Sequence, residues 1–291
     1  MYYYIINPAA GGGKINKVQT RLKERLKDLG IAGEFVKSTG PGDIAKLARL
    51  GIEKNFKTIV AVGGDGTIHE MINGIDNDKI AIGIIPLGAT NELAHTLGIP
   101  DWQSACNILS ARKTEVVDLG IIKNRFFVTN VSLGFNTFLF ENLNPNPTSF
   151  LEKFKTGFSL FREAMNFKTV VVTLDFEEGF SVEAECFNVT ISNGKFLKFM
   201  PKKLKPQDSL LDVVILSKLP FTKVMRYSNS KSGEKIRDLS KISTFRTKRV
   251  RIKTKKPYPV IADGQIVAET PVTVAIAEKK LRVIVSRERK F

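Results

Sequence analysis

Long apolar runs and cysteines are both scarce in this chain of 291 residues. No segment approaches the ~20 consecutive apolar residues that a membrane-spanning helix needs, so we do not expect an integral membrane protein. Cysteine occurs only at Cys106 and Cys186, far apart and without metal-ligand spacing, which indicates two reduced, structural thiols. The start, MYYYIINPAAGGGK, lacks the basic region and the small-residue cleavage site of a signal peptide, so we expect a cytoplasmic location.

Acidic residues are also few: 29 Asp+Glu stand against 45 Lys+Arg, a formal net charge of +16. This excess predicts an anionic partner, and by itself it leaves nucleic acid, a membrane surface or a phosphorylated substrate open. The chain has no RNP-like, zinc-finger or helix-turn-helix pattern, so we do not expect nucleic acid.

One basic strand alternates its cations with Val250 and Ile252 and so predicts a single cationic face. Together with nearby lysines, that face would either dock the protein on anionic lipid or lie in solvent as an ordinary charged face. The cations are Arg249, Arg251, Lys253 and Lys255 on the strand, and Lys198, Lys202, Lys203 and Lys205 before it.

The pattern of predicted secondary structure changes once along the chain, near residue 115. Before that point, short apolar strands alternate with amphipathic helices, which predicts an α/β domain with a parallel sheet at residues 1–118. After it, strands with turn signals predict an antiparallel β domain at 119–279, with helical insertions near 148–167 and 221–240. The first insertion carries an aromatic stripe that favours a core-facing surface over a lipid-facing wall: Phe150, Phe154, Phe158, Phe161 and Met165.

The elements of the first domain follow from apolar periodicity. Asp43 is a candidate N-cap and Gly30 a candidate C-cap. The predicted strands are 2–6, 33–37, 58–62 and 80–85, and the predicted helices are 16–29, 44–54, 91–97 and 102–109.

Three glycine-containing turns each join a strand to a helix. The first, IINPAAGGGK, would place backbone N–H groups and a lysine near phosphate, although it is not a Walker A loop because Pro8 and Ile15 replace two required residues. The second, GGDGT, combines glycines that allow close backbone approach with one carboxylate, Asp65. That carboxylate suggests Mg²⁺ or a substrate hydroxyl beside phosphate; the alternative is a tight turn with Asp65 as a helix cap. The third is IIPLGATNELAHTLGIP, and three such turns in one sheet can converge on one crevice.

As an ordered set, these turns resemble the catalytic domain family of diacylglycerol kinases, sphingosine kinases and bacterial lipid kinases. The resemblance continues through VVDLG, FFVTNVSLGF, ISNGK and IADGQ and so spans almost the whole chain. It implies a nucleotide-binding α/β domain, a C-terminal β-sandwich domain, and an active site in the cleft between them. It also implies that a C-terminal segment, about 280–291, returns to the first domain.

The resemblance implies specific roles when it is carried over position by position. Catalytic roles fall to Asp65, Gln265 and Asp263. A structural Mg²⁺ would be bound by Asp208 with backbone carbonyls near Lys205 and Leu210. ATP would contact Asn7, Gly11, Gly12, Gly13, Lys14, Ser38, Thr39, Gly63, Gly64, Asp65, Gly66, Thr67, Ile68, His69, Gly88, Thr90 and Asn91.

The sequence departs from the family pattern at three places. Ala89 stands where the family has threonine, and Ser209 stands where it has glycine in the metal loop. Gln265 replaces the glutamate of D-G-E, the usual candidate general base, and an amide can position a hydroxyl but cannot accept its proton. Asp65 or Asp263 would then substitute as the proton acceptor. His69 is interpreted as a hydrogen-bonded helix residue rather than a catalyst.

These observations predict an ATP- and Mg²⁺-dependent lipid kinase with peripheral membrane association. Diacylglycerol is the first candidate acceptor and a sphingoid base the second. Two alternatives stay open: a catalytically impaired nucleotide- or lipid-binding protein of the same fold, and an NAD kinase. A second copy of the chain, in a homodimer, is a further candidate partner.

Overall fold

The structure, a computed structural model, describes residues 1–76, 79–142, 167–193, 208–217 and 242–287. Its N-terminal part is a parallel sheet with helices in the crossovers. The strands β1 (Tyr2–Ile6), β2 (Gly33–Lys37), β3 (Thr58–Gly63) and β4 (Ala81–Pro86) lie in the order β2-β1-β3-β4. Helices α1 (Lys14–Asp28), α2 (Asp43–Glu53) and α3 (Asp65–Gly74) follow the first three strands, and α4 (Glu92–Thr96) and α5 (Trp102–Ala111) follow β4. All of β1 and β4 is buried, as expected for strands that are covered on both faces.

The C-terminal part is antiparallel β structure. Seven strands form the order β14-β13-β7-β9-β8-β12-β15, β10 pairs with β9 and β11, and β5 pairs with β6 and β15. A helix, α6 (Phe135–Asn142), follows β7. The strands are β5 (Thr114–Ile122), β6 (Arg125–Phe127), β7 (Asn130–Gly134), β8 (Val170–Phe176), β9 (Ser181–Ser192), β10 (Leu211–Ser217), β11 (Ile242–Thr247), β12 (Arg249–Thr254), β13 (Pro259–Ala262), β14 (Gln265–Glu269) and β15 (Val272–Ile284).

The predicted fold class is confirmed: a parallel α/β part precedes an antiparallel β-sandwich part. Two long strands, β5 and β15, join these parts. Near its start β15 pairs antiparallel with β12, and near its end Arg282 and Val283 pair in parallel with Ala81 and Ile82 of β4. The predicted boundaries after 118 and after 279 fall inside these two strands. The division into domains at those residues stays a prediction.

The predicted helices and strands of the first part agree with the observed ones to within two residues at each end. Asp43 as the N-cap of α2 is wrong. The cap position is Gly42, whose φ of 85° lets the chain enter the helix one residue earlier. The Asp43 carboxylate instead accepts hydrogen bonds from the backbone and hydroxyl of Thr39. Glu70 on α3 accepts the hydrogen bond from the N–H of Ile44, at 3.0 Å.

The core divides into two large apolar clusters, one for each part of the sheet. A small third cluster of aromatic side chains lies beside the start of α6 and comprises Phe135 and Phe187 with Phe138 and Phe167 packed against them. The predicted aromatic stripe of residues 150–165 lies outside the described residues, as do the predicted helical insertions near 148–167, apart from Phe167, and near 221–240.

Candidate active site

A cavity of about 590 Å³ lies at the carboxyl ends of the parallel strands. Its walls come from the three glycine-containing turns, from the loop between β2 and α2 (residues 38–41), from Ile44 and Glu70, and from one residue of the C-terminal sheet, Gln265. The structure therefore brings together residues separated by more than 250 positions in the chain. Of the residues predicted to contact ATP or to act in catalysis, those that line this cavity are Asn7, Gly11, Ser38, Thr39, Gly64, Gly66, Thr67, Gly88 and Gln265.

The first turn depends on three consecutive left-handed residues. Gly11, Gly12 and Gly13 have φ values of 59°, 68° and 79°, a conformation that other L-residues rarely adopt. A Cβ on Gly11 would also lie 1.9 Å from the carbonyl oxygen of Leu87, so the first turn packs directly on the third. Lys14 begins α1 immediately after these glycines. The loop can thus approach a ligand with its backbone and with the start of a helix.

The second and third turns pack backbone against backbone. A Cβ on Gly64 would lie 2.9 Å from the Cα of Gly88, and a Cβ on Gly88 would lie 2.5 Å from the Cα of Gly64. Asn91, with φ 48°, accepts a hydrogen bond from the N–H of Gly88 and donates one to its carbonyl. Asn7 donates to the Thr67 hydroxyl at 3.0 Å and so connects the first turn to the second. The three turns form one interlocked unit.

Asp65 lies in the first turn of α3, but its carboxylate is directed to the neighbouring loop. It accepts hydrogen bonds from the Thr90 hydroxyl at 2.6 Å and from the N–H of Leu93 at 3.4 Å. The sequence left open that Asp65 caps a helix. Asp65 does cap a helix, but that helix is α4 and not its own helix, α3. Thr90, one residue after Ala89, supplies the hydroxyl that contacts Asp65.

Asp263 is the most heavily hydrogen-bonded side chain of the candidate site. It accepts from the backbone N–H groups of Val128, Thr129 and Asn130 and from the Thr129 hydroxyl, at 2.6–3.3 Å. His69 Nδ1 lies 3.3 Å from its second oxygen. Burial acts to raise the pKa of Asp263, but the hydrogen bonds from His69, Thr129 and Val128 outweigh it and hold the pKa below its ordinary value. Asp263 is thus a buried carboxylate with both oxygens engaged, an arrangement suited to fixing its turn.

His69 connects this turn to α3. Its side chain is 3% exposed, and the described residues offer no partner to its other ring nitrogen, Nε2. One turn of helix later, Asn73 donates to the carbonyl and accepts from the N–H of Phe126 at the start of the loop that surrounds Asp263. Helix α3 therefore carries Asp65 at one end and is held to the C-terminal sheet along its length.

Gln265 follows Asp263 and Gly264 and faces the second glycine turn. A Cβ on Gly66 would lie 3.2 Å from Gln265 Nε2, so the amide lies close over the start of α3. Gly264, with φ 76°, lines a different cavity. The turn at residues 263–265 consequently separates two cavities and contributes to the wall of each.

The second cavity, of about 310 Å³, escaped prediction from the sequence. Most of its lining residues are polar, and one of them, Asn136, directly follows Phe135 of the aromatic cluster in the chain. The alternation of polar residues in Asn130 and Ser132 of β7 is the only sequence signal that marks it. It is lined by Glu92, Asn130, Ser132, Asn136, Thr190, Ile261 and Gly264.

The predicted metal loop is only partly described, because Lys205 lies outside the described residues. The Asp208 carboxylate forms an ion pair with Arg246, and it also accepts a hydrogen bond from the N–H of Leu210. Asp212 also pairs with Arg246, at 3.1 Å, and burial raises its pKa to about 6. In the described parts of the chain, no group of three or more acidic, histidine or cysteine side chains is arranged so that it could hold a metal ion. The predicted set relies on backbone carbonyls, one of them near a residue outside the described ranges, and it stays a prediction.

Ser209 stands in this loop with φ 56°. Its N–H donates to Asp118, whose other oxygen accepts from Lys280 at 2.8 Å. A left-handed conformation at this position explains why the related family pattern has glycine there.

The basic strand β12 does present its cations on one exposed face. Lys253 forms an ion pair with Asp175 of β8 at 2.7 Å, and Asp175 is the cross-strand neighbour of Arg251. On β9, the exposed Glu183 pairs with Thr173 of the same face. The charge on this face is therefore mixed. Within the described residues, no helix is long and apolar enough to cross a membrane.

Two family models match the chain. The diacylglycerol kinase catalytic domain matches residues 1–122, and the YegS C-terminal NAD kinase beta sandwich-like domain matches residues 129–285. Among curated proteins, a diacylglycerol kinase of Bacillus subtilis is 25% identical over 98% of this chain and 96% of its own. A putative lipid kinase of Staphylococcus carnosus is 25% identical over 95% of this chain and 94% of its own.

Solved structures show the same fold. A putative diacylglycerol kinase from Bacillus anthracis superposes with a TM-score of 0.80 at 22% identity, over 99% of this chain and 98% of its own. An NAD kinase from Archaeoglobus fulgidus in complex with ATP superposes with a TM-score of 0.54 at 17% identity, over 100% of this chain and 96% of its own. The likeness to NAD kinase is therefore distant and concerns the fold alone.

The buried Asp263 network predicts an acid-sensitive contribution to stability. Because the folded-state pKa is lowered, Asp263 stabilises the fold at pH values above its unfolded pKa, and this contribution disappears as the pH falls through the folded pKa. We expect Asp263→Asn to lower the free energy of unfolding by about 3 kcal/mol at pH 7. Urea titrations at pH 7 and pH 3 should show the difference from the wild type shrinking in acid, and an equal difference at both pH values would contradict this role.

The left-handed Ser209 predicts a stabilising substitution. Ser209→Gly should raise the free energy of unfolding by up to about 1 kcal/mol, because glycine relieves the strain at φ 56°. The matched control is Ser243→Gly on the exposed edge of β11, which should destabilise by about 0.5–1 kcal/mol. Urea unfolding of both variants would measure this, and equal losses would argue against strain at Ser209.

Proposed function

Because the chain belongs to the diacylglycerol kinase catalytic domain family, with the YegS-type β-sandwich domain behind it, we propose that it transfers the γ-phosphate of Mg²⁺·ATP to the hydroxyl of a lipid. The observation that carries this proposal is the position of Gln265. This residue of the C-terminal sheet lines the same cavity as all three glycine turns, while the residue before it lines the polar cavity. A donor and an acceptor bound in the two cavities would meet at one turn.

The larger cavity suits the phosphates of ATP. Backbone in the left-handed conformation at Gly11–Gly13 and the starts of α1 and α3 provide N–H groups and the positive ends of two helix dipoles. Lys14 adds a cation at the first helix start. Magnesium arrives with ATP as part of the substrate and neutralises phosphate charge during transfer.

The smaller cavity suits the hydroxyl-bearing head of an amphiphile. Four of its lining side chains are uncharged hydrogen-bonding groups, and the aromatic cluster of Phe135, Phe138, Phe167 and Phe187 lies beside Asn136. Uncharged amides and hydroxyls favour a neutral polyol head, so diacylglycerol is the first candidate acceptor. A sphingoid base is the second, because Glu92 in this cavity would attract its ammonium group.

The proposed lipid acceptor also has a consequence for where in the cell the protein acts. We propose peripheral contact with a membrane, because the acceptor is a bilayer lipid. The mixed charge around β12 gives limited support to docking through that strand, since Lys253 is already paired with Asp175.

Gln265 supports one rival function. An amide in place of the family carboxylate, together with Ala89 in place of threonine, would suit a protein that binds nucleotide and lipid without transferring phosphate. An NAD kinase is less well supported, because its likeness rests on a distant fold comparison.

The test is transfer of labelled γ-phosphate from ATP to a mixed lipid extract, with the wild type and Gln265→Glu assayed side by side. We expect labelled lipid from the wild type, and its chemical identification would name the acceptor. A parallel reaction with NAD in place of lipid should give no labelled product.

Each other outcome has a distinct meaning. Label in lipid with Gln265→Glu alone would show a binding protein disarmed at one position. ATP binding without labelled lipid from either protein would reject the kinase, and labelled NADP would establish the NAD kinase instead.

A further inference from the structure

Transfer of a phosphoryl group to a hydroxyl releases the hydroxyl proton, which a base must accept. The residues predicted to act as this base are poorly placed to do so. Gln265 is an amide and has no proton-accepting carboxylate. Asp263 is enclosed by four hydrogen-bond donors and His69 and has a lowered pKa. Asp65 accepts from Thr90 and from the α4 backbone. Such a proton arises only in the phosphoryl transfer to lipid proposed above, so the choice of its acceptor rests on that function.

We propose that Glu92 accepts the proton of the lipid hydroxyl. Of the described residues that line the polar cavity, Glu92 is the only one with an ionisable side chain. Gly264 lines the same cavity, and the next residue, Gln265, lines the nucleotide cavity. A hydroxyl that entered from the polar cavity would pass between Glu92 and the turn that carries Gln265.

The backbone of Glu92 is held by the same contacts that hold the nucleotide turns. It is the first residue of α4, directly after Asn91, whose side chain is hydrogen-bonded to both backbone groups of Gly88. The N–H of the residue after it, Leu93, donates to Asp65. Leu93 and Ala94 are buried beneath it, while Glu92 is exposed at the cavity. The backbone of Glu92 is therefore fixed beside the polar cavity that its side chain lines.

The step balances without a further reactant. A lone pair of the lipid oxygen forms a bond to the γ-phosphorus, and the bond from that phosphorus to the β,γ-bridging oxygen breaks. The bond's electron pair leaves on ADP. The hydroxyl proton passes to the Glu92 carboxylate, which later releases it to water, while Gln265 positions the hydroxyl by hydrogen bonding.

Glu92→Gln tests the proposal, because it keeps the size and polarity of the side chain and removes its basicity. We expect kcat to fall by about 10²–10⁴-fold with little change in KM for the lipid or in ATP affinity. The wild-type kcat/KM should decline on the acid side of its pH profile, and this decline should be absent in the variant. The matched control is Glu24→Gln on the exposed face of α1, which should leave both rate and profile unchanged.

Two more variants distinguish the loss of a proton acceptor from a structural effect of the substitution. Glu92→Asp should keep the acid decline with kcat lowered by about 10–100-fold, because its carboxylate lies about one bond length short. Adding Gln265→Glu to Glu92→Gln should restore activity, because it returns a carboxylate to the turn. Equal melting temperatures and equal ATP binding would show that the variants are folded.

The failure of this proposal differs from failure of the proposed function. If the wild type phosphorylates lipid and Glu92→Gln does so within about threefold, or loses only lipid affinity with its acid decline intact, Glu92 is not the proton acceptor. If the wild type phosphorylates no lipid, both the kinase function and this role are overturned.

Discussion

The fold depends on one buried carboxylate. Asp263 receives hydrogen bonds from residues 133–135 positions earlier in the chain and lies against His69 of α3, 194 positions away. Removing one partner from a buried, hydrogen-bonded charge leaves that charge without full compensation, so the loss of any one member of the cluster is strongly destabilising. Because Asp263 precedes Gly264 and Gln265, the same cluster sets the wall between the two cavities.

Glycine has a comparable structural role where the three glycine-containing turns meet. Three turns meet so closely that a Cβ at Gly11, Gly64 or Gly88 would enter the backbone of a neighbouring turn. Such contact leaves no room for side chains between the turns and brings their polar backbone groups towards one cavity. Asp65 then connects α3 to α4, so that a shift of either helix would move both the nucleotide turns and Glu92.

Local patterns were sufficient to predict the fold class, the position of the three turns and the convergence on one cavity of many residues that were predicted to bind nucleotide. Strand alternation and glycine placement are short-range signals, so they can be identified in a single sequence. Contacts between distant segments were not predictable in this way. The capping of α4 by Asp65, the capping of α2 by Glu70 and the polar cavity around Glu92 each require side chains from separate elements, and no spacing rule specifies them. Gly42 shows the same limit locally, because a left-handed residue moved the start of α2 and changed the role of Asp43.

The amide at Gln265 has an electrostatic consequence for this layout. A carboxylate there would lie two residues from the buried Asp263 and would share a cavity with the phosphates of a bound nucleotide, so like charges would oppose its ionisation. The amide removes that repulsion and retains hydrogen bonding to a hydroxyl. Glu92 is exposed and lines the other cavity, to which Gly264 also contributes. Under the proposed function, the positioning amide and the proton acceptor thus line different cavities on either side of one turn, and the acceptor of the proton lies outside the cavity proposed for the nucleotide.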